Sequence, residues 1–320
     1  MSEVRIGLIG IGSFSTNYHV RNLLNCPDAR ITALCDRSQE QLAVTQQKFG
    51  GSQTFTDHRA LLDADLVDGI VISTPNQYHF AQCKDALERD IPVLVDKPIT
   101  VTVEDAETLV ELSKSRDVIL MTAFTRHFMG STELVRREVR TDLEIQHLAA
   151  VQRQSRIKNT IADGGMLHRR TVHIFDVIPW FTGQTIVSVS STIEYEHDHT
   201  EERLVDARLT LEDGLICDLL CIKDCDENQD EVSVYGRNQS YRLHRAGLER
   251  MHDRNWETVD VLPDVGNSTT HFIEAIQGKP FAPDATYADC HSEDGLQSIR
   301  ILEAVHRSAQ TMDPTDLSEA

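Results

Sequence analysis

The pattern of apolar positions changes period part-way along the chain. As far as Thr122, short apolar runs alternate with stretches of helical spacing. Val4–Ile9, Ile31–Cys35, Asp68–Ile72, a run ending at Val95, and Val118–Thr122 are too short for helices and read as buried parallel strands. Between them, one helix runs to about Cys26, where Pro27 stops it, and a second covers Ser38–Phe49, closed by Gly50 and Gly51. Asp57 caps a short helix to Leu62, and Asn76 is positioned as the N-cap of another. Val103–Arg116 forms the last, with Thr102 and Asp105 at capping-box spacing. This alternation predicts a doubly wound parallel sheet, for which six strands make a complete domain.

Beyond Thr122 the alternation stops. A helix is predicted over Glu133–Arg140, and a strand over Ile145–Ser155, with Arg153 in it and Arg156 after it. A second helix runs from the Asp163 region to Phe181, before Gly183. Strands follow at Ile186–Tyr195, Arg203–Leu211, Leu215–Ile222, Glu231–Tyr235 and Gln239–His244, with Glu212-Asp213-Gly214 as a hairpin turn. Helices at Ser268–Gln277 and Asp294–Ala309 precede a polar tail after Met312. The fold class is therefore α/β. An N-terminal Rossmann doubly wound parallel sheet spans 1–123, and a C-terminal α+β domain with a mostly antiparallel open sheet spans 124–320. The second sheet is apolar on both faces and has helices for one, which predicts a homodimer or homotetramer.

Composition narrows the partners. The 320 residues suit two domains, and a net charge of −20 argues against nucleic acid. No apolar run approaches the ~20 residues of a membrane span. The first strand begins by Val4, which leaves no room for a signal peptide, so the expected location is the cytoplasm. Seven scattered cysteines agree with free thiols in a reducing compartment. Cys217, Cys221 and Cys225 recur every fourth residue as one face of a strand, in the core or at an interface. No zinc spacing occurs, and Glu194–His199 reads as a solvated loop, so no metal site is expected.

The candidate chemistry lies where strands end. Gly10-x-Gly12-x-x-Ser15 follows the first strand and opens a helix through Ser13 and Phe14. Gly10 permits a tight turn, and Gly12 lets the backbone approach a pyrophosphate at a helix N-terminus. Asp36 ends the second strand, where a carboxylate accepts from ribose hydroxyls and selects NAD; Arg37 beside it leaves NADP as an alternative. Thr74, Pro75, Asn76 and His79 follow the third run, and Asp96 and Lys97 end the fourth, again at carboxyl ends where ligands bind.

Taken in order, Gly10-x-Gly12-x-x-Ser15, Cys35-Asp36, Thr74-Pro75-Asn76-x-x-His79 and Asp96-Lys97-Pro98 resemble the glucose-fructose oxidoreductase, inositol dehydrogenase and rhizopine-catabolism (Gfo/Idh/MocA) family. Asp96 stands where that family usually has glutamate. The family's later pattern, Gly-Gly-x-Leu-x-Asp-x-Gly-x-His-x-x-Asp, is matched at Gly164, Gly165, Leu167, His173 and Asp176. Arg169 takes the aspartate place and Thr171 the last glycine place. Phe124–Phe128, with Arg126, resembles the family's crossing segment.

The resemblance implies an NAD(P)-dependent oxidoreductase acting on a carbinol of a sugar, cyclitol or related derivative. Lys97 would lie beside the nicotinamide and the substrate hydroxyl, and His173 would be the general acid/base. Arg126, Arg169 and His173 would bind substrate. Arg169 and His173 are four apart and share a helical face, so Arg169 is expected to face the cleft and grip an anionic substrate group rather than turn outward or pair with Asp163 or Asp176. The lost aspartate motivates a second reading, a cofactor-binding regulatory or sensor protein without catalysis. Retention of Lys97 and His173 argues against it.

Overall fold

The computed structural model describes residues 3–50, 52–155, 164–196, 201–244, 247–261, 263–279 and 291–317. Gly51, Arg156, Asp163 and residues 197–199 of the expected Glu194–His199 loop lie outside them. The chain forms two units, Met1–Thr125 with Gly266–Leu296, and Arg126–Val265 with Gln297–Ala320. The first break falls two residues from the expected boundary. The return of Gly266–Leu296 to the first unit is not visible in a contiguous division. Its physical reason is packing on strand β4 (Gly69–Ile72): a Cβ on Gly69 would lie 3.1 Å from Phe272 and 2.6 Å from Ile276. Only glycine leaves room there for the helix Ser268–Ile276.

In the first unit, β1 (Val4–Ile9), β2 (Ala29–Cys35), β3 (Gln53–Phe55), β4, β5 (Val93–Asp96) and β6 (Leu120–Ala123) are all parallel, in the order β3-β2-β1-β4-β5-β6. The apolar run of β4 is buried throughout, and Val93–Val95 of β5 likewise, as strands covered on both faces require. The order reverses between β1 and β4, and this opens a crevice at their carboxyl ends. The hydrophobic pattern misses β3, because an edge strand of Gln, Thr and Phe carries no apolar run. Asp57 and Thr102 cap their helices as expected, accepting from Arg59 and Asp105 amides, and Ser38, read as the first helical residue, is itself the cap, accepting from Gln41. Asn76 is not a cap. Pro75 holds that position, Asn76–Tyr78 forms a 3₁₀ turn, and the α-helix starts at His79. The helix after the glycines contains a π-turn, Thr16–Val20.

In the second unit, β7 (Ile145–Gln154), β8 (Ile186–Tyr195), β9 (Glu202–Leu211), β10 (Ile216–Lys223), β11 (Gln229–Gly236) and β12 (Ser240–His244) correspond to predicted strands. β13 (Gly247–His252), β14 (Asn255–Val259) and β15 (Thr315–Asp316) do not. The nine strands run β14-β13-β12-β11-β7-β10-β9-β8-β15 among the described residues, with β7 and β10 parallel and every other pair antiparallel. β13 and β14 turn at Asp253 and Arg254, both left-handed, and form the polar edge of the sheet. The expected polar tail instead pairs Thr315 with Val189. Alternate residues of β10 are buried, so Cys217 and Cys221 face the core, while Cys225 lies beyond the strand. Glu194 and Tyr195 belong to β8 rather than to a loop.

The helix Gly130–Thr141 buries an ion cluster. Glu133 accepts from Arg136 at 2.7 Å and from Arg137 at 2.6 Å, and the Arg136 guanidinium lies 5.2 Å from the Trp180 ring centre. Burial raises the Glu133 carboxyl pKa, but the two arginines outweigh it and hold the group below its ordinary value. Such a group stabilises fully above the ordinary glutamate pKa of about 4.3, and its contribution is lost as pH falls through the lowered folded value. Glu133→Gln is expected to lower the unfolding free energy by about 3 kcal/mol at neutral pH, because it strands a buried guanidinium. Urea unfolding should show the gap to the unmodified protein narrowing below about pH 4. A gap that did not change with pH would assign the cost to packing.

Candidate functional site

Two glycines at the end of β1 answer to different constraints. Gly10 has φ +84°, and its N–H donates to the Cys35 carbonyl at 2.8 Å. A Cβ there would lie 2.6 Å from the Ser73 carbonyl oxygen, so packing alone requires glycine. Gly12 has an ordinary φ of −67°, and a Cβ would meet nothing within 4 Å. The protein does not need glycine there; a ligand that approaches the backbone does.

Both glycines line a cavity of about 370 Å³ in the first unit, together with Asp36, Arg37, Thr74 and Pro75 of the expected site. Backbone amides hold Asp36: Ile11 N–H donates to one oxygen at 3.1 Å and Ser38 N–H to the other at 2.9 Å. Carboxylate lone pairs remain for a ribose. The Arg37 guanidinium lies 5.0 Å over the Tyr78 ring. Thr74 donates to Gln82 at 2.7 Å. Cys35 also lines the cavity, but burial, with the charges of Asp36 and Asp57, pushes its thiol up to about 12, so it stays protonated.

Sequence reasoning missed Ser73, Asp57, His58, Tyr78 and Gln82 in this wall. Asp57 and His58 follow β3, and an unseen strand offers no carboxyl end to search. Ser13 and Phe14 are exposed at the helix start, and neither they nor Asn76, His79, Asp96 and Lys97 are among the lining residues. Phe14 stacks on Tyr18 with ring centres 5.3 Å apart.

His79, expected as a cofactor contact, lies behind the cavity wall as a support. It is fully buried, with its ring nitrogens 2.8 Å from the Pro98 carbonyl oxygen and 2.9 Å from that of Thr74. It thereby ties the loop after β4 to the loop after β5. Burial lowers its pKa and keeps the ring neutral, so one nitrogen donates at a time. Asp96 accepts from the Ser73 hydroxyl and from His19 Nε2, the latter at 2.9 Å. Burial pushes the Asp96 carboxyl up, but His19 and Ser73 outweigh it and leave the group below its ordinary value. The half-buried Lys97 follows, joined to Pro98 by a cis peptide bond.

In the second unit, Gly164 and Gly165 have φ +83° and +96°. A Cβ on Gly165 would run into the buried Glu202 carboxylate, which accepts the Met166 N–H at 2.8 Å and pairs with His306 at 3.3 Å. A π-turn, Leu167–Thr171, leads into the helix Val172–Thr182 that carries His173, which is half-buried. Thr171, in the glycine place, donates to Gln152 Oε1 at 2.8 Å, and β7 thereby absorbs its hydroxyl. Arg169 is exposed. Asp176 is buried against His127 Nε2 at 3.0 Å, and burial raises its pKa. The Arg126 guanidinium, expected to bind substrate, bridges both oxygens of Asp230 at 2.7 and 2.6 Å. Among the described residues no three His, Cys, Asp or Glu side chains are grouped to hold a metal, and no helix is long and apolar enough to cross a membrane.

Residues 4–124 match a model of an oxidoreductase family with an NAD-binding Rossmann fold, and residues 130–242 match a model of the GFO/IDH/MocA C-terminal domain. Inositol 2-dehydrogenase of Corynebacterium glutamicum (strain R) is 27% identical over 224 residues, which cover 68% of this chain and 66% of that protein. The rhizopine catabolism protein MocA of Rhizobium meliloti is 27% identical over 191 residues, covering 58% of this chain and 59% of MocA. The chain thus aligns with less than two thirds of the length of either. The fold of aldose-aldose oxidoreductase from Caulobacter crescentus superimposes with a TM-score of 0.86, at 18% identity, over 98% of this chain and 99% of that one.

The glycine geometry separates folding from binding. Gly10→Ala is expected to destabilise the first unit by more than about 1 kcal/mol, from left-handed backbone and the Ser73 clash. Gly12→Ala is expected to leave the melting temperature within about 1 °C and to weaken NADH binding at least about tenfold. Thermal melts and fluorescence titration of both variants check this; equal effects on both properties would refute the separation.

Proposed function

Since this chain belongs to the GFO/IDH/MocA oxidoreductase family, whose N-terminal domain is an NAD-binding Rossmann fold, we propose that it transfers a hydride between NAD and a carbinol of a sugar, cyclitol or related polyol. The observation that carries this reading is the cavity in which an unneeded glycine, Gly12, and a backbone-held carboxylate, Asp36, line one wall system. These residues fit a dinucleotide: Gly12 leaves room at a helix N-terminus, and Asp36 offers acceptors to a ribose. NAD supplies the hydride acceptor. Lys97 would donate a hydrogen bond to the substrate oxygen and stabilise charge developing on it. His173 would take the hydroxyl proton in oxidation and return it in reduction.

Arg169 supports a narrower reading, a substrate with a carboxylate or phosphate. A guanidinium grips such a group through parallel hydrogen bonds. The same residue is the observation behind the second reading, a non-catalytic cofactor-binding regulator. A screen of neutral and acidic sugars and cyclitols, followed at the nicotinamide absorbance, separates the two. Dinucleotide binding without turnover of any substrate favours the regulator.

Half-buried apolar side chains, Ala149 and Val151 on β7 with Leu220 and Ile222 on β10, support a homodimer or homotetramer built on this sheet. The cytoplasm is the proposed compartment, where the thiols of Cys26, Cys35, Cys83, Cys217, Cys221 and Cys225 stay reduced.

Asp36 predicts at least about tenfold tighter binding of NADH than NADPH, a difference of about 1.4 kcal/mol. The reverse preference, in titrations of both, would make Arg37 the selector. Arg169→Ala should raise KM for an acidic substrate by about 10-fold or more, the scale of a charge-assisted hydrogen bond, with NADH affinity unchanged. Steady-state kinetics in which neutral sugars are the best substrates would remove the anionic reading.

A further inference from the structure

The helix that follows the glycine loop carries a histidine that the reaction scheme above does not use. His19 is fully buried within the π-turn Thr16–Val20. Its Nε2 lies 2.9 Å from Asp96 Oδ1, and its Nδ1 lies 2.9 Å from Thr269 Oγ1. A carboxylate only accepts, so Nε2 bears the proton, and in the neutral ring Nδ1 accepts from the Thr269 hydroxyl. The other Asp96 oxygen accepts from the Ser73 hydroxyl. The series Thr269, His19, Asp96, Ser73 is therefore polarised, with every proton directed toward the one carboxylate.

Ser73 ends this series and lines the dinucleotide cavity. Its only proton is committed to Asp96, so toward the cavity its oxygen offers lone pairs alone. We propose that His19 and Asp96 are a positioning pair that fixes Ser73 as a hydrogen-bond acceptor for the nicotinamide half of the cofactor. The chemistry of the dinucleotide selects that half. A pyrophosphate has no donor and is repelled by an acceptor. Asp36 already offers acceptors to the adenosine ribose. The remaining donors are the adenine amino group, which belongs to the adenosine side with Asp36 at the end of β2, and the nicotinamide ribose hydroxyls and carboxamide; Ser73 follows β4, on the other side of β1 from Asp36, and so faces the latter. This inference rests on the dinucleotide reading and adds two residues, Ser73 and His19, that the reading leaves without a role.

Asp96 faces His19 from the first helix and feels His79 from the helix His79–Leu87, with Lys97 next to it in the chain. Removing His19 takes away a donor that keeps the Asp96 carboxyl ionised. Once that carboxyl is protonated it competes for the Ser73 oxygen, and the acceptor is lost.

The test uses the full chain with NADH and ADP, since ADP lacks the nicotinamide half. His19→Ala and Ser73→Ala should weaken NADH by about 5- to 10-fold, one hydrogen bond's worth, and leave ADP within about twofold. His19→Gln, whose amide N–H can donate to Asp96, should stay within about twofold of the unmodified protein for NADH. In His19→Ala, NADH affinity should also begin to fall at a higher pH than in the unmodified protein, a shift that a merely structural role would not produce. Parallel weakening of ADP and NADH, or unchanged NADH binding by both alanine variants, overturns the proposal. If His19→Ala does not fold, Ser73→Ala decides between these outcomes. An unmodified protein that binds neither ligand overturns the dinucleotide reading itself.

Discussion

The close approach of β1 to the turn after β4 is the contact on which the site in the first unit depends. A Cβ on Gly10 would lie 2.6 Å from the Ser73 carbonyl oxygen and 2.8 Å from Thr74 Cγ2, so the two strand ends touch through a glycine or do not touch. That contact sets the floor of the crevice at the point where strand order reverses. It places Gly12 at the helix start with space above it. It also brings Ser73 to the end of β5, where Asp96 can receive its hydroxyl. His79 then joins Thr74 to Pro98, so the loops after β4 and β5 are held as one piece. A lysine on such a support, Lys97, has its backbone fixed by neighbours that no ligand has to order.

The second unit uses the same means at another place. Gly165 lets the buried Glu202 reach the Met166 amide, as Gly10 lets Ser73 reach the strand end. Three buried carboxylates meet histidines: Asp96 with His19, Asp176 with His127 and Glu202 with His306. Burial raises the pKa of all three. For Asp96 and Glu202 the histidine, helped by a serine hydroxyl or backbone amides, outweighs burial and holds the carboxyl below its ordinary value. For Asp176 burial wins. Replacing one partner of such a pair costs more than the pair contributes, because the survivor is left without water or a counter-charge. These pairs therefore fix geometry more than they add stability.

What the sequence shows and what it hides follow from the range of the interactions. Buried parallel strands advertise themselves as apolar runs, and Ser38, Asp57 and Thr102 act on amides two or three residues away. Strands at or next to a sheet edge bury little, so Gln53–Phe55 and Asn255–Val259 at edges, and Gly247–His252 beside the latter, carry little hydrophobic signal. Asn76 fails as a cap because Pro75 claims the position first. The glycine fingerprint locates Gly10, Gly12 and Asp36 in one cavity, because its spacing is set by one local turn. His19 meets Asp96 across 77 residues and Thr269 across 250, and Arg126 meets Asp230 across 104. No local pattern marks such partners. A lone histidine or arginine therefore reads the same whether it is neutralised in a core or presented to a ligand.

The exchange of aspartate for Arg169 is the departure with the largest chemical consequence for the proposed substrate. A carboxylate at that place would accept hydrogen bonds from substrate hydroxyls, as a polyol site requires. A guanidinium accepts none and offers five N–H donors in a rigid fork. In the segment leading to the helix, Gly164 and Gly165 have a left-handed backbone, and Thr171, in the glycine place of the family pattern, donates to Gln152. Relative to that pattern, the hydrogen-bond polarity at position 169 is inverted. Fold does not fix substrate, because specificity lies in the groups a site presents. On the proposed reading, in which Arg169 meets the substrate, a donor fork without an acceptor calls for a substrate that supplies oxygens with lone pairs. Neutral polyols present such oxygens singly, each with its own proton to place. A carboxylate or phosphate presents them in pairs, at the spacing of the fork.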